Sequence, residues 1–361
     1  MNTESLFRPF RLKSLNTRNR FVMSPMTRSF SPAGIPTADV ANYYRKRAEG
    51  EVGLIISEGT IIDRPSAGNE PDVPDFYKDE SLAGWQQVID GVLQAGGQMA
   101  PQLWHIGIQE NHHSGWLPPA PFEGPSTRGN GKAMTDSDIA DTITAFGCAA
   151  AHAKRMGFNS VEIQGAHGYL IDQFFWENTN KRSDFFGGKT LAERSRFAIE
   201  VTKEVRQKVG EDFALMIRLS QWRFSDFHSK LAKNPQELAS WLTPLADAGI
   251  DIFHCSTRRF WEPEFAGSNL NLAGWAKKLT GKATITVGSV GLDNDVTTIF
   301  TGENSSPTSI DELIRRMDTN EFDLVAVGRS ILADPYWVQK VKEDRMNEFQ
   351  GFNKEALNSL V

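Results

Sequence analysis

The chain has 361 residues, 40% hydrophobic, 10% aromatic and 23% charged, with a formal net charge of −6 at neutral pH. This composition excludes wholesale disorder, and the acidic balance leaves no basic footprint for nucleic acid or an anionic membrane as the main partner. Two cysteines, Cys148 and Cys255, are too few for a disulfide scaffold or a four-thiolate cluster, and no segment approaches the ~20 apolar residues of a membrane span, so a soluble, cytoplasmic protein is expected.

Short apolar, β-branched runs recur along the chain, each ending in small or polar residues and most leading into a helix-like stretch. The first two begin at Phe21 and Gly53, and a helix predicted over Ser81 to Ala95 closes at Gly96. A third run starts at Met99, followed by a helix over Ser137 to Met156 that stops at Gly157. A fourth starts at Ser160, with a helix over Leu191 to Val209, and a fifth at Ala214, with a helix over Pro235 to Ala248. Runs from Asp251, Thr284 and Leu324 complete eight. Because they are apolar throughout and not alternating, they read as parallel strands covered on both faces. Eight strand, loop, helix units predict an α/β fold, a (β/α)8 TIM barrel, as one domain over residues 1–361. Its surplus length falls in loop insertions at the C-terminal face, mainly Gln109 to Thr135 and Trp222 to Asn234. A doubly wound sheet is the alternative, but no G-x-G-x-x-G follows the first strand.

In such a barrel chemistry gathers at the strand ends. These ends carry Pro25, Met26 and Thr27 (first), Gly59 (second), Gln102 and Trp104 (third), Gln164, His167 and Tyr169 (fourth), Arg218 (fifth), Gly288 and Ser289 (seventh), and Gly328 and Arg329 (eighth). The closing glycines of the last two strands suit a phosphate bound by bare backbone N–H groups, or simply tight turns. Arg218 ends a buried strand and needs an anionic or carbonyl partner, either a protein carboxylate or a ligand. On an extended strand end His167 and Tyr169 point the same way, so imidazole and phenol can address one ligand, with Gln164 as a further N–H donor. His112 and His113 sit near Glu110 without a third regularly spaced ligand, so no metal site is expected.

The ordered segments Phe7-Arg8-Pro9-Phe10, Asn19 to Arg28, Tyr43 to Ala48 read as a helix start, Ile56 to Gly59, Gln102 to His105, Gly165 to Leu170, Asn180 to Asp184, Gly328-Arg329 and Asp334-Pro335 resemble the Old Yellow Enzyme family of FMN-dependent ene-reductases over nearly the whole chain. The resemblance implies bound, non-covalent FMN with NAD(P)H as reductant. Pro25, Met26, Thr27, Gly59 and Gln102 would line the flavin, and Arg218 would face its N1 and C2 carbonyl. Gly288, Ser289, Gly328 and Arg329 would hold the phosphate. It implies reduction of the activated C=C bond of α,β-unsaturated carbonyl compounds, with hydride passing from flavin N5 to the β-carbon and a proton from Tyr169 to the α-carbon. His167 and Gln164 would hold the carbonyl oxygen. Gln164 stands where relatives usually carry histidine, and an amide can donate but cannot become cationic. Trp104 and Trp261 are the expected aromatic walls of the substrate pocket, and the expected partner is a small molecule bound by a monomer or homodimer.

Overall fold

The computed structural model describes residues 2–109, 115–297 and 302–361. Eight parallel strands, β1 (Phe21–Met23), β2 (Leu54–Ile61), β3 (Met99–Trp104), β4 (Ser160–His167), β5 (Ala214–Arg223), β6 (Ile252–Ser256), β7 (Ala283–Val287) and β8 (Leu324–Val327), pair in chain order and close into a barrel through β8 against β1. The (β/α)8 expectation is met. Side chains at alternate positions fill the barrel interior, where Val22, Leu54, Ile56, Ala100, Met216, Ile252, Ile285 and Leu324 form one buried cluster. A hairpin (Phe10–Leu12 with Leu15–Thr17) contributes Phe10 and Leu15 to that cluster. Its Ser14 accepts from the Ala214 N–H and donates to the Asn159 carbonyl, at the N-terminal ends of β5 and β4, so the hairpin floors the end opposite the strand termini discussed below.

The outer layer is built from α1 (Ala38–Glu49), α2 (Asp79–Gln94), α3 (Asp136–Met156), α4 (Arg196–Val209), α5 (Pro235–Asp247), α6 (Leu272–Thr280), α7 (Asp311–Asp318) and α8 (Trp337–Lys342), with shorter helical turns between them. Start and stop signals act locally. Thr135 and Asp138 form a reciprocal capping box at the head of α3, and Gly157 ends it at φ 92°, a left-handed position that glycine adopts without steric cost. Some predicted boundaries shift. The segment from Tyr43 to Ala48 is the later part of α1, which starts at Ala38 behind the Thr37 cap. The stretch from Leu191 to Val209 is interrupted at Ser195, whose hydroxyl donates back to the Leu191 carbonyl at 2.7 Å. The long loop after β3 includes residues 110–114, so His112 and His113 lie outside the described residues.

Candidate active site

At the C-terminal ends of the strands lies a cavity of about 290 Å³ onto which Pro25, Met26, Thr27, Gly59, Gln102, Trp104, Gln164, His167, Tyr169, Arg218, Gly288, Ser289, Gly328 and Arg329 all open. Trp261 does not. It stands edge-on to Phe260 at 5.3 Å, and its main-chain carbonyl accepts from Arg316 on α7 at 2.7 Å, which ties this loop to the outer helix layer. The aromatic surface comes from Trp104, Trp222 and Phe224. Trp222, read from the sequence as the start of a loop, belongs to β5, which runs on to Arg223.

Arg218 is buried, and among the described residues no carboxylate oxygen lies within 4 Å of its guanidinium. Its contacts are long ones, to the Pro25 carbonyl (3.5 Å), Ser24 Oγ (3.3 Å) and Ser256 Oγ (3.4 Å). No protein carboxylate pairs with it directly, although the charge of buried Glu162 favours its protonated form. A buried cation left this way calls for an electron-rich ligand from the cavity. Gln102 is oriented from below: its Nε2 donates to Glu162 Oε1 at 2.8 Å, while Glu162 Oε2 meets His254 Nδ1 at 2.6 Å, leaving the Gln102 side-chain oxygen Oε1 as the acceptor not used in that network. A Cβ on Gly59 would strike the Trp104 ring at 2.7 Å, so this position presents only backbone.

At the other end Gly288 adopts φ 145°, and a Cβ there would meet the Thr257 carbonyl at 2.7 Å. Ser289 takes φ 55°, with its hydroxyl turned to the carbonyls of Arg258 and Asn294. Arg329 donates to Ser305 Oγ at 2.8 Å and to the Asn294 carbonyl. This end therefore offers bare backbone beside a fixed guanidinium, a chemistry that fits a phosphate. Together with Arg218, which has no direct ion-pair partner among the described residues, and the oriented Gln102, it makes the cavity a fitting host for FMN.

The end of β4 carries the reactive groups. Strand alternation does not bring His167 and Tyr169 together. The register against β5 slips between Gly165 and His167, and His167 and Gly168 adopt φ 66° and 87°, a left-handed turn that swings both side chains to one cavity. His167 lies under Trp222 at 4.6 Å between ring centroids, and its Nε2 is 2.8 Å from Ser256 Oγ. Burial, with Arg218 and His254 nearby, holds its pKa well below the ordinary imidazole value, so the ring is neutral. Gln164 Oε1 accepts from the Ala166 N–H at 3.1 Å, which turns its NH₂ group away from the backbone. Tyr169 stands edge-on to Trp104 at 5.0 Å, and desolvation pushes its phenol up to about 12.

Further wall residues were not among the sequence candidates. Ser24, Ser256, Val287 and Ala326, all in or ending predicted strands, and Leu357 line the cavity. Leu357 arrives from the C-terminal segment, held there by Arg28, which donates to the carbonyls of Ala356, Leu357 and Ser359. Among the described residues no group of three His, Cys, Asp or Glu side chains is placed to hold a metal ion, and no helix is long and apolar enough to cross a membrane.

Residues 5–348 match the NADH:flavin oxidoreductase / NADH oxidase family. The chain is 32% identical over 359 residues to an NADH oxidase of Thermoanaerobacter brockii, covering 96% of this chain but only 52% of that protein, so it spans about half the length of that relative. It is also 32% identical to an NADPH dehydrogenase of Bacillus cytotoxicus, covering 93% of this chain and 91% of the relative. Among solved structures, a morphinone reductase in complex with tetrahydroNAD superposes with a TM-score of 0.81 at 26% identity, over 98% of this chain and 93% of the other.

Proposed function

The chain belongs to the NADH:flavin oxidoreductase / NADH oxidase family and is an NAD(P)H-dependent flavin oxidoreductase that uses FMN; from that premise we propose that it is an ene-reductase acting on α,β-unsaturated carbonyl compounds. The observation that carries this reading is the convergence on one cavity of two neutral N–H donors, Gln164 and His167, with a protonated phenol, Tyr169. Bound FMN would supply hydride transfer from NAD(P)H to the substrate.

The chain's own residues divide the remaining work. Pro25, Met26, Thr27 and Gly59 would lie along the flavin ring, and Gln102 would accept from its pyrimidine edge. Arg218 would stabilise the negative charge that accompanies two-electron reduction, an electrostatic role suited to a buried cation in no direct ion pair. Gly288, Ser289, Gly328 and Arg329 would hold the phosphate. Gln164 and His167 would bind the carbonyl oxygen and draw electron density from the β-carbon, and Tyr169 would protonate the α-carbon. Trp104, Trp222 and Phe224 would exclude water and pack on an apolar substrate. The complex of the related morphinone reductase with tetrahydroNAD supports a nicotinamide reductant.

Anaerobic stopped-flow tests the proposal. NAD(P)H should bleach the flavin band of the purified yellow protein, and cyclohexenone or maleimide should restore it. Restoration by oxygen alone would sink the ene-reductase reading.

A further inference from the structure

We propose that Ser256 is a positioning residue which fixes the His167 ring as the tautomer protonated on Nδ1, acting as the middle of a hydrogen-bonded chain from Arg218 to His167. The proposal rests on reading His167 as a carbonyl donor. Ser256 is the last residue of β6, buried and on the cavity wall, directly opposite Ser220 of β5. The two serines grip one histidine from different sides. Ser220 Oγ accepts the His167 backbone N–H at 3.0 Å and donates to the Trp222 carbonyl at 2.7 Å, while Ser256 Oγ lies 2.8 Å from His167 Nε2. Trp222 covers the ring face, and its Nε1 donates to the Ser256 carbonyl at 3.2 Å.

The direction of these bonds follows from which partners have a choice. A guanidinium only donates, so at the 3.4 Å contact Ser256 Oγ is the acceptor from Arg218 Nη2. The hydroxyl's single proton needs an acceptor, and among the described residues the one in contact with it is His167 Nε2, which therefore accepts. Burial beside two other cationic or cation-forming groups keeps the imidazole neutral, so it carries one N–H only. With Nε2 accepting, that proton sits on Nδ1, which bonds to no other described residue. The opposite tautomer would turn a lone pair on a substrate carbonyl oxygen and repel it. Ser256 thereby decides whether this histidine is a donor at all.

The test is the histidine ¹⁵N spectrum of the FMN-loaded protein without substrate, with the His167 signals identified by their loss in His167→Ala. A protonated-type Nδ1 and an acceptor-type Nε2 are expected, and the reverse pattern in the parent protein overturns the proposal. Ser256→Ala should lose this tautomer preference and bind p-hydroxybenzaldehyde about tenfold more weakly, as removal of one hydrogen bond implies, while Ser256→Thr, which keeps the hydroxyl, restores both. Retention of the Nδ1–H tautomer in Ser256→Ala would also overturn it. Failure of the carbonyl-donor reading looks different: His167→Ala would bind the phenol as tightly as the parent, whatever tautomer the parent shows.

Discussion

With its phenol pushed up to about 12, Tyr169 holds its proton throughout the neutral range and can release it only to a strongly basic carbon. Tyr169→Phe should therefore leave reduction of the flavin by NAD(P)H unchanged and slow its reoxidation by enone ~10²–10⁴-fold, the usual worth of a general acid. The two half-reactions, followed separately by stopped flow, read this directly, and unchanged enone reoxidation would move the proton source to water. Gln164 invites a different argument. The lack of a titratable ring at this position matters only if such a ring would be charged there, yet His167, three residues on in the same cavity, is kept neutral by burial and by Arg218. Gln164 itself pairs in register with Arg218. Gln164→His should therefore keep phenol affinity, and its pH profile, close to those of the parent. Gln164→Ala, which removes a donor, should weaken it by about one to two decades. Titration of the flavin charge-transfer band with a phenol measures both, and equal affinity in Gln164→Ala would show that the carbonyl is held elsewhere.

At the scale of elements, the decisive piece is the turn from β4 into the helical segment Leu170–Phe175. Asp172, fully buried in that segment, accepts the Gly168 N–H at 2.7 Å and the Trp176 Nε1–H at 3.0 Å through one oxygen, pinning the left-handed turn that aims His167 and Tyr169. Asp172→Ala orphans the Gly168 N–H in a dry setting, so it should cost ~1–3 kcal/mol in thermal unfolding and weaken phenol binding, whereas Asp172→Asn keeps an oxygen acceptor and should preserve most of both. Phenol affinity unchanged in Asp172→Ala would mean that the turn holds without it. This turn also marks where sequence reading stops. The eight strands were legible because runs such as Leu54 to Ile61 are buried along their whole length and show no alternation, and the helices because caps such as Thr135 and stops such as Gly157 act over a few residues. The grouping of His167 with Tyr169 was legible, but its geometric cause was not: a register slip and a positive φ at a histidine leave no composition signal. Ser256 and Leu357 were not among the candidates for a related reason, since each reaches the cavity through closure of the barrel or docking of a distant segment. Trp261 stays outside the lining of this cavity, since an aromatic residue beyond a strand end can pack on its own loop, and here its ring meets Phe260.

Over the whole molecule, two buried carboxylates flank the barrel mouth. Asp172 stands behind the β4 turn. Glu58, within β2, accepts the backbone N–H groups of Arg28 and Ser29 and so backs the loop that carries Pro25, Met26 and Thr27, while the Arg28 side chain holds the C-terminal segment with Leu357. Desolvation raises both carboxyl groups to about 7. The folded protein thus binds protons at these groups at pH values where the unfolded chain, titrating near ordinary carboxylate values of 4.5 and 3.8, has released them. Stability from each is fully present below those unfolded values and is lost as pH rises through about 7. Buried His105, His167 and His254, whose folded pKa values are depressed, act in the opposite sense, because acid protonates them in the unfolded chain and stability falls as pH drops below about 6.5. The parent protein alone would show only the sum of these opposing slopes. Glu58→Gln isolates one of them: glutamine keeps an oxygen for the Arg28 and Ser29 N–H groups and resembles the protonated acid, but does not titrate. The variant should match the parent near pH 4 and become progressively more stable than it toward pH 8, the difference approaching about 3 kcal/mol. Paired thermal unfolding of the FMN-loaded proteins across that range is the measurement, and a constant difference with pH would show that Glu58 is ionised in the fold throughout.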